Sequence, residues 1–225
     1  MTITILMVLY SNSYGQQLDG VWMSYNNRIV DKNEQYTSGQ EGLILDFTNN
    51  TFGHLSSDSV LRFKRRNNKL RIRGLGKRIS IKAFQNDSIE FPPSGNVISV
   101  FHKLELKVSF DIKEKEIIKF LTNNKFDSLY GLLDVEFSSD QFWLDKMFGK
   151  KEGRFNLINN TWKDNDGYWY LKNVHDVYFL IFAPGQIEEK HIFQILDMDE
   201  KRMKLKPLQD SMFGPDQLTE LRPQY

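Results

Sequence analysis

Cysteine is absent from the 225 residues of this chain. Its absence excludes disulfide bonds, thiolate metal sites and a lipid-attachment cysteine, so stability must come from packing. An excess of charge of either sign is also absent, because 30 Lys and Arg residues balance 29 Asp and Glu residues. The formal net charge of +1 provides no global attraction to nucleic acid or membranes, and we expect no specific nucleic-acid partner.

The apolar leader at residues 3–10 is too short to cross a bilayer, which takes about 20 apolar residues. Ser13 and Gly15 follow it at the two positions that a signal peptidase reads, which favours a signal peptide over residues 1–15. No Lys or Arg precedes Arg28, so the basic start of such a peptide is missing, and a first β-strand is the alternative. We expect a secreted or periplasmic protein without a transmembrane span.

Alternation of apolar and polar residues dominates the chain and predicts an all-β, mainly antiparallel fold. One segment differs: Ile117, Ile118 and Leu121 form an apolar stripe that predicts a helix at about 112–121, with Asp111 as its cap and Glu114 completing a capping box. Strands are predicted at 20–26, 42–47, 51–55, 61–64, 70–73, 78–82, 87–91, 97–110, 129–137, 141–145, 153–158, 168–172, 176–182, 191–196, 202–206 and 217–222.

Two stretches of the chain repeat one pattern of strand, polar turn and strand. Residues 42–52 are matched by 131–142 with one inserted residue, and upstream Phe126 stands where the first copy has Trp22. We interpret this echo as an internal duplication, with chance similarity between amphipathic hairpins as the alternative. The predicted organisation is a β domain at 16–106 and a second β domain at 107–225 that opens with the helix. A single continuous sandwich or large barrel is the other possibility.

The opening Leu18, Gly20 and Trp22, followed by the hairpin with Leu45, Phe47 and Phe52, resembles the lipocalin-like domains of secreted bacterial proteins. The resemblance implies an eight-stranded up-and-down barrel whose first strand begins at Gly-x-Trp, with the Trp packed across the closed end. It implies structural roles for Gly20 and Trp22, and for Phe126 in the second copy, and no catalytic residue. We therefore expect two small lipocalin-like barrels, or barrel-like sheets, joined by a short helix.

Motifs for catalysis and metal binding are incomplete in this chain. Residues 74–77 lack the glycine spacing and the Ser or Thr of a phosphate loop, and residues 164–167 lack both ends of a calcium loop, so each is interpreted as a turn. A folded site could gather His175, Asp176 and His191, although ordinary surface or core histidines are the favoured interpretation. No catalytic residue, metal ligand or cofactor is assigned, and a protein that is not an enzyme is the favoured interpretation.

The segment from Arg62 to Lys82 is rich in Lys and Arg and contains no acidic residue. Alternation places its basic residues on one sheet face, while the apolar residues between them, Leu61 included, face the core. Such a face could hold an anionic glycan, a lipid headgroup or an acidic protein surface, or it could serve only solubility and protection against edge pairing. The candidate binding residues are Arg62, Lys64, Arg71, Arg73, Arg78 and Lys82.

Together these features predict an exported, non-enzymatic, lipocalin-like binding protein. Its ligand would be a small apolar or amphipathic molecule, an anionic ligand, or a partner at the surface. The alternative is an exported hydrolase or carbohydrate-active enzyme whose site is assembled from dispersed carboxylates and histidines.

Overall fold

The runs of alternating residues form antiparallel strands in the computed structural model of the chain, and the prediction of a mainly antiparallel β fold with one short helix is confirmed. The leader, Asp111 and the predicted strand at 141–145 lie outside the described residues. No helix in the part of the chain that the structure describes is long and apolar enough to span a membrane. The structure describes residues 18–25, 27–30, 42–55, 57, 59–84, 88–106, 113–126, 134–138, 153–158, 166–184, 191–208 and 219–224.

The first unit, residues 18–106, forms a nine-stranded antiparallel sheet in the order β7-β6-β5-β4-β3-β1-β11-β9-β8. Its two outermost strands, β7 and β8, are separated by Ile81 alone, so the ends of the sheet meet and the sheet curls into a barrel-like form. The other two strands, β2 and β10, pair with each other. The strands are β1 (Val21–Ser24), β2 (Arg28–Ile29), β3 (Leu43–Asp46), β4 (Thr51–His54), β5 (Leu61–Arg66), β6 (Lys69–Ile72), β7 (Arg78–Ser80), β8 (Lys82–Phe84), β9 (Ser88–Glu90), β10 (Val97–Ile98) and β11 (Val100–Lys103).

The second unit, residues 113–224, begins with the helix and continues as an eight-stranded sheet whose strands follow one another in chain order. The start and the end of this sheet are also joined: Phe126 and Pro223 form an antiparallel bridge, and the Gln224 N–H donates to the carbonyl of Lys125 at 2.8 Å. The elements are α1 (Glu114–Thr122), β12 (Lys125–Phe126), β13 (Asp134–Phe137), β14 (Gly153–Ile158), β15 (Asp166–Val174), β16 (Val177–Pro184), β17 (His191–Met198), β18 (Met203–Pro207) and β19 (Thr219–Leu221).

Helix α1 begins later than its predicted start and uses other capping residues. Lys113 is the N-cap, and its backbone N–H donates to Oε2 of Glu116 at 3.0 Å. The glutamate of the capping interaction is therefore Glu116 and not Glu114. Two residues of the predicted apolar stripe, Ile117 and Leu121, are buried and pack with Phe120 against the core of the second sheet.

Each unit has an apolar core on the inner face of its sheet. The first core packs Trp22 with Leu45, Phe63, Leu70 and Phe101, which are all buried. In the second core, α1 packs against aromatic and aliphatic side chains of the sheet, among them Phe126, Trp169 and Phe193. Because side chains of a strand alternate between its two faces, the residues between these core positions point to the outside of each sheet.

A third apolar cluster lies between the two units and covers part of both outer faces. Strand β1 is therefore buried on both sides, with Trp22 in the first core and Val21 and Met23 in the shared cluster. The first unit contributes Val21, Met23, Ile44, Leu55 and Leu104, and the second contributes Tyr170, Val174, Val177, Phe179, Ile181, Ile192 and Leu208.

One local prediction for the second unit is wrong, and a site that gathers His175 with His191, the less favoured interpretation, is not formed. Asp166 and Gly167 are not a turn, because they belong to β15 and pair with Asn156 and Phe155 of β14. His175 and His191 are not gathered either: His175 lies in the turn between β15 and β16, whereas His191 pairs with Phe182. From Val177 to Phe182 the strand rises about 17 Å at about 3.3 Å per residue, which separates the two histidines.

Candidate anion-binding face

Strands β5, β6 and β7 place basic side chains directly opposite one another on the outer face of the first sheet. Lys64 is the register partner of Arg71, and Arg71 is the partner of Arg78, so three cations form a row across three strands. Arg62 and Arg73 lie one step further along, where the Arg73 N–H donates to the carbonyl of Arg62 at 2.8 Å. The inner face of the same strands carries Phe63, Leu70 and Ile72, all buried in the first core.

We name this outer surface the basic ladder and define it as Arg62, Lys64, Arg66, Lys69, Arg71, Arg73 and Arg78, all of which are exposed. Five of the six candidate residues belong to it. The sixth, Lys82, does not: it starts β8 beyond the bend at Ile81, and its register partner is Glu90. Arg66 and Lys69 were not among the candidates, although they are register partners and continue the same alternation.

The cations of the basic ladder have no ion-pair partner among the described residues, while other basic residues of the chain do. Arg28 binds Glu90 at 3.0 Å and Lys103 binds Asp19 at 2.6 Å. Like charges directly opposite each other across a sheet reduce stability. The row therefore lowers the stability of the fold, and scattered surface Lys and Arg would give the same solubility without that cost.

Arg65 shows how a basic residue of this segment behaves when it serves the fold. Arg65 is two residues after Phe63 in β5, so it belongs to the same face of the strand as Phe63 and not to the face of the basic ladder. Its Nη1 donates to the carbonyl of Leu18 at 3.1 Å, its Nε donates to the carbonyl of Asn67 at 3.0 Å, and its guanidinium lies 5.7 Å from the ring centre of Phe47. The residues of the basic ladder have no comparable contacts among the described residues.

A second polar cluster joins the two units at Asp46 and His175. Oδ2 of Asp46 accepts from Nε2 of His175 at 2.7 Å and from Nδ2 of Asn49 at 2.8 Å. Its Oδ1 accepts from the backbone N–H groups of Thr48 and Asn49 at 2.8 and 2.9 Å. An ionised carboxylate only accepts, so Nε2 of His175 carries a proton here.

The hydrogen bonds around Asp46 control its ionisation. Burial acts to raise the pKa of Asp46, but the backbone N–H of Asn49, the His175 side chain and the Asn49 side chain outweigh it and hold the pKa below its usual value. The carboxylate therefore stays ionised at neutral pH, where it can bind His175 of the other unit.

The backbone around His175 explains how its ring reaches Asp46. His175 and Asp176 have φ values of +52° and +64°, which makes them the two central residues of a tight turn that closes β15 onto β16. Positive φ is uncommon outside glycine, although His, Asn and Asp adopt it more readily than most residues. Sequence reasoning missed this contact because Asp46 and His175 are 129 residues apart. The polar turn after Asp46 is visible in the sequence, but it does not identify His175 as a partner.

Gly20, Trp22 and Phe126 are the three residues for which the sequence implies structural roles. Gly20 has φ +73°, and its carbonyl accepts from the Phe47 N–H at 2.9 Å. Trp22 is 2% exposed, and its Nε1 donates to the carbonyl of Asp19 at 2.8 Å. Phe126 is fully buried in the second core. No group of three or more His, Asp or Glu in the described part of the chain is arranged to hold a metal ion.

In comparisons with known proteins, the chain matches no protein-family model and no curated protein.

Proposed function

We propose that this chain is an exported, non-enzymatic binding protein that holds an anionic partner on the basic ladder. The observation that carries the proposal is the row of Lys64, Arg71 and Arg78, placed in register without an acidic partner among the described residues. An anion laid across the row would remove the repulsion that the fold otherwise tolerates. Export is inferred from the apolar leader and its small residues at Ser13 and Gly15.

The proposal includes a lipocalin-like, up-and-down barrel for each unit. In the first unit, closure is supported by the pairing of β1 with both β3 and β11 and by the continuation of β7 into β8 through Ile81. With β7 and β8 counted as one bent strand, the sheet has eight strands, the number that the resemblance implies. In the second unit the eight strands run in chain order, and the bridge from Phe126 to Pro223 supports closure.

An internal duplication is supported by matching positions in the two units. Trp22 pairs in register with Leu45 of β3, and Phe126 pairs with Val135 of β13, as the alignment of the two echoes requires. Each opening aromatic also lies edge-on to a Phe two residues further along the partner strand: Trp22 to Phe47 at 6.4 Å, and Phe126 to Phe137 at 5.7 Å. Agreement in both the register and the ring contact favours duplication over chance similarity between hairpins.

Binding at the outer surface is better supported than binding of an apolar ligand inside a barrel. The inward side chains of the first unit, such as Trp22, Leu70 and Phe101, are buried and pack into one cluster. Aromatic contacts such as Phe91 to Phe101, at 4.6 Å between ring centres, occupy the interior. A ligand in that space would have to displace packed side chains, whereas the basic ladder is already exposed.

The test is salt-dependent retention on a heparin column at about pH 8, where the chain carries almost no net charge because its pI is about 7.8. We expect the native chain to be retained at low salt and eluted by salt. The variant Arg71→Gln/Arg73→Gln/Arg78→Gln should fold normally and lose this retention.

The matched control is Lys115→Gln/Lys119→Gln/Lys201→Gln, which removes the same charge from exposed residues of the second unit. It should be retained like the native chain. Equal loss in both triple variants, or no retention of the native chain, would show that the basic ladder is not a binding surface.

A further inference from the structure

Exposed apolar side chains gather at one end of the basic ladder. The large apolar side chains with the greatest exposure among the described residues are Val30 at 56%, Val60 at 58%, Leu61 at 39% and Leu75 at 46%. Three of these four belong to the strands of the basic ladder or their connections. Val60 and Leu61 are at the start of β5, and Leu75 is in the loop between β6 and β7. Leu61 was expected in the core, but it lies at the end of β5 and is exposed, although the alternation places it on the same side of the strand as Phe63.

The strand register brings these residues to the same end. Phe63 is paired with Ile72, and the Arg73 N–H donates to the carbonyl of Arg62, so the start of β5 and the loop after β6 are neighbours. In an antiparallel pair, residues beyond the last pairing continue along the same edge. The loop from Gly74 to Lys77 therefore lies beyond Arg62 and Arg73, at the end of the strands where Leu61 is located.

The loop holds Leu75 in an open turn, where its side chain is 46% exposed. Gly74 and Gly76 have φ values of +92° and +64°, and a Cβ added to either would meet no atom within 4 Å. The Leu75 N–H donates to the carbonyl of Ile72 at 3.3 Å, and the Lys77 N–H donates to the carbonyl of Leu75 at 2.7 Å. A tight turn thus presents one leucine to solvent between two glycines.

Cations surround this apolar end. Arg62, Arg73, Lys77 and Arg78 flank Leu61 and Leu75 in sequence and are all exposed. Isolated exposed leucines are common on protein surfaces, but a group of exposed apolar side chains next to a row of cations is the composition that binds at the interface of an anionic bilayer. A soluble polyanion would use the cations and leave the apolar side chains in water. A bilayer uses both.

We propose that the partner of the basic ladder is the surface of an anionic lipid bilayer, entered by Leu75 and Leu61 while the cations contact lipid headgroups. This inference rests on the proposed function, and it adds an apolar requirement that charge alone does not have. Salt should weaken docking without being the only determinant, because side chains within the interface are held by the hydrophobic effect.

The test measures cosedimentation of the full chain with two kinds of vesicle: phosphatidylcholine alone, and phosphatidylcholine with about 30% phosphatidylglycerol. We expect binding to the anionic vesicles only. Leu75→Ser should reduce that binding about tenfold, the order of effect for losing one inserted leucine. The same variant should keep the thermal midpoint and the heparin retention of the native chain, because Leu75 belongs to none of the three buried clusters and carries no charge.

The matched control is Val30→Ser, since Val30 is as exposed as Val60 but lies beside Asn96, outside the ladder. It should bind anionic vesicles like the native chain. Retention on heparin with no vesicle binding, or equal vesicle binding by Leu75→Ser and the native chain, would overturn the bilayer inference and leave the anionic-partner proposal standing. Equal binding to neutral vesicles would also overturn it. Failure of both heparin and vesicle binding would end both proposals.

Discussion

Replacement of Trp22 by alanine tests the first core and its link to the rest of the chain. The indole is 2% exposed, lies edge-on to Phe47 at 6.4 Å, and donates to the carbonyl of Asp19 at 2.8 Å. Truncating such a side chain leaves a large cavity, and we expect the free energy of unfolding to fall by about 3–5 kcal/mol. About 1 kcal/mol of that loss comes from the hydrogen bond.

The shared cluster between the units decides how far this loss spreads. Separating the units would expose twelve buried apolar side chains. At about 1.5 kcal/mol each, their exposure would cost more than the about 5–15 kcal/mol by which whole domains are usually stable. We therefore expect a single unfolding transition, although the two separate β domains predicted from the sequence would unfold independently.

Trp169→Ala is the matched variant in the second unit. Trp169 is fully buried, lies edge-on to Phe137 at 5.5 Å, and its Nε1 donates to the carbonyl of Ser138 at 3.1 Å. In urea unfolding followed by circular dichroism, both variants should shift one transition by a similar amount with an unchanged dependence on urea.

Two outcomes would refute this reasoning. A second transition that stays at the native midpoint in Trp22→Ala would mean that the units unfold independently and that the shared cluster does not couple them. A loss below about 1 kcal/mol would mean that Trp22 does not anchor the first core.

Two further substitutions test the polar clusters. Asp46 has a pKa below the unfolded value of about 3.9, so its carboxylate stabilises the fold above that pH and the contribution is lost as pH falls through the folded pKa. Asp46→Asn should lower the thermal midpoint at neutral pH and make the midpoint depend less on pH in acid. A midpoint that falls in acid as steeply as that of the native chain would show that Asp46 does not cause this loss of stability. Arg71→Gln, which separates Lys64 from Arg78, should raise the free energy of unfolding by about 0.2–1 kcal/mol at low salt, and a loss of stability in urea unfolding would contradict the repulsion.

Local patterns were enough to locate most of the strands. The strand at 153–158 has the bounds that its sequence predicts, and Asn67, a residue type that favours turns, adopts φ +54° between β5 and β6. These features follow from alternation and turn chemistry, which act over a few residues. The outward direction of the basic residues on β5 and β6 follows from the same alternation, because the apolar residues between them are buried.

The tertiary structure decided the features that join distant segments. The sequence Asp166-Gly167 is typical of a turn, yet pairing with β14 makes it part of a strand. Val21 and Met23 face away from Trp22 and would be exposed on a single sheet, but the second unit covers them. Only the folded chain brings His175 to Asp46, and only the register of three strands aligns the cations of the ladder. The sequence by itself determined which strands form and which faces are apolar, because those depend on neighbouring residues. Which faces meet depends on contacts across more than one hundred residues, for which a single sequence carries no local signal.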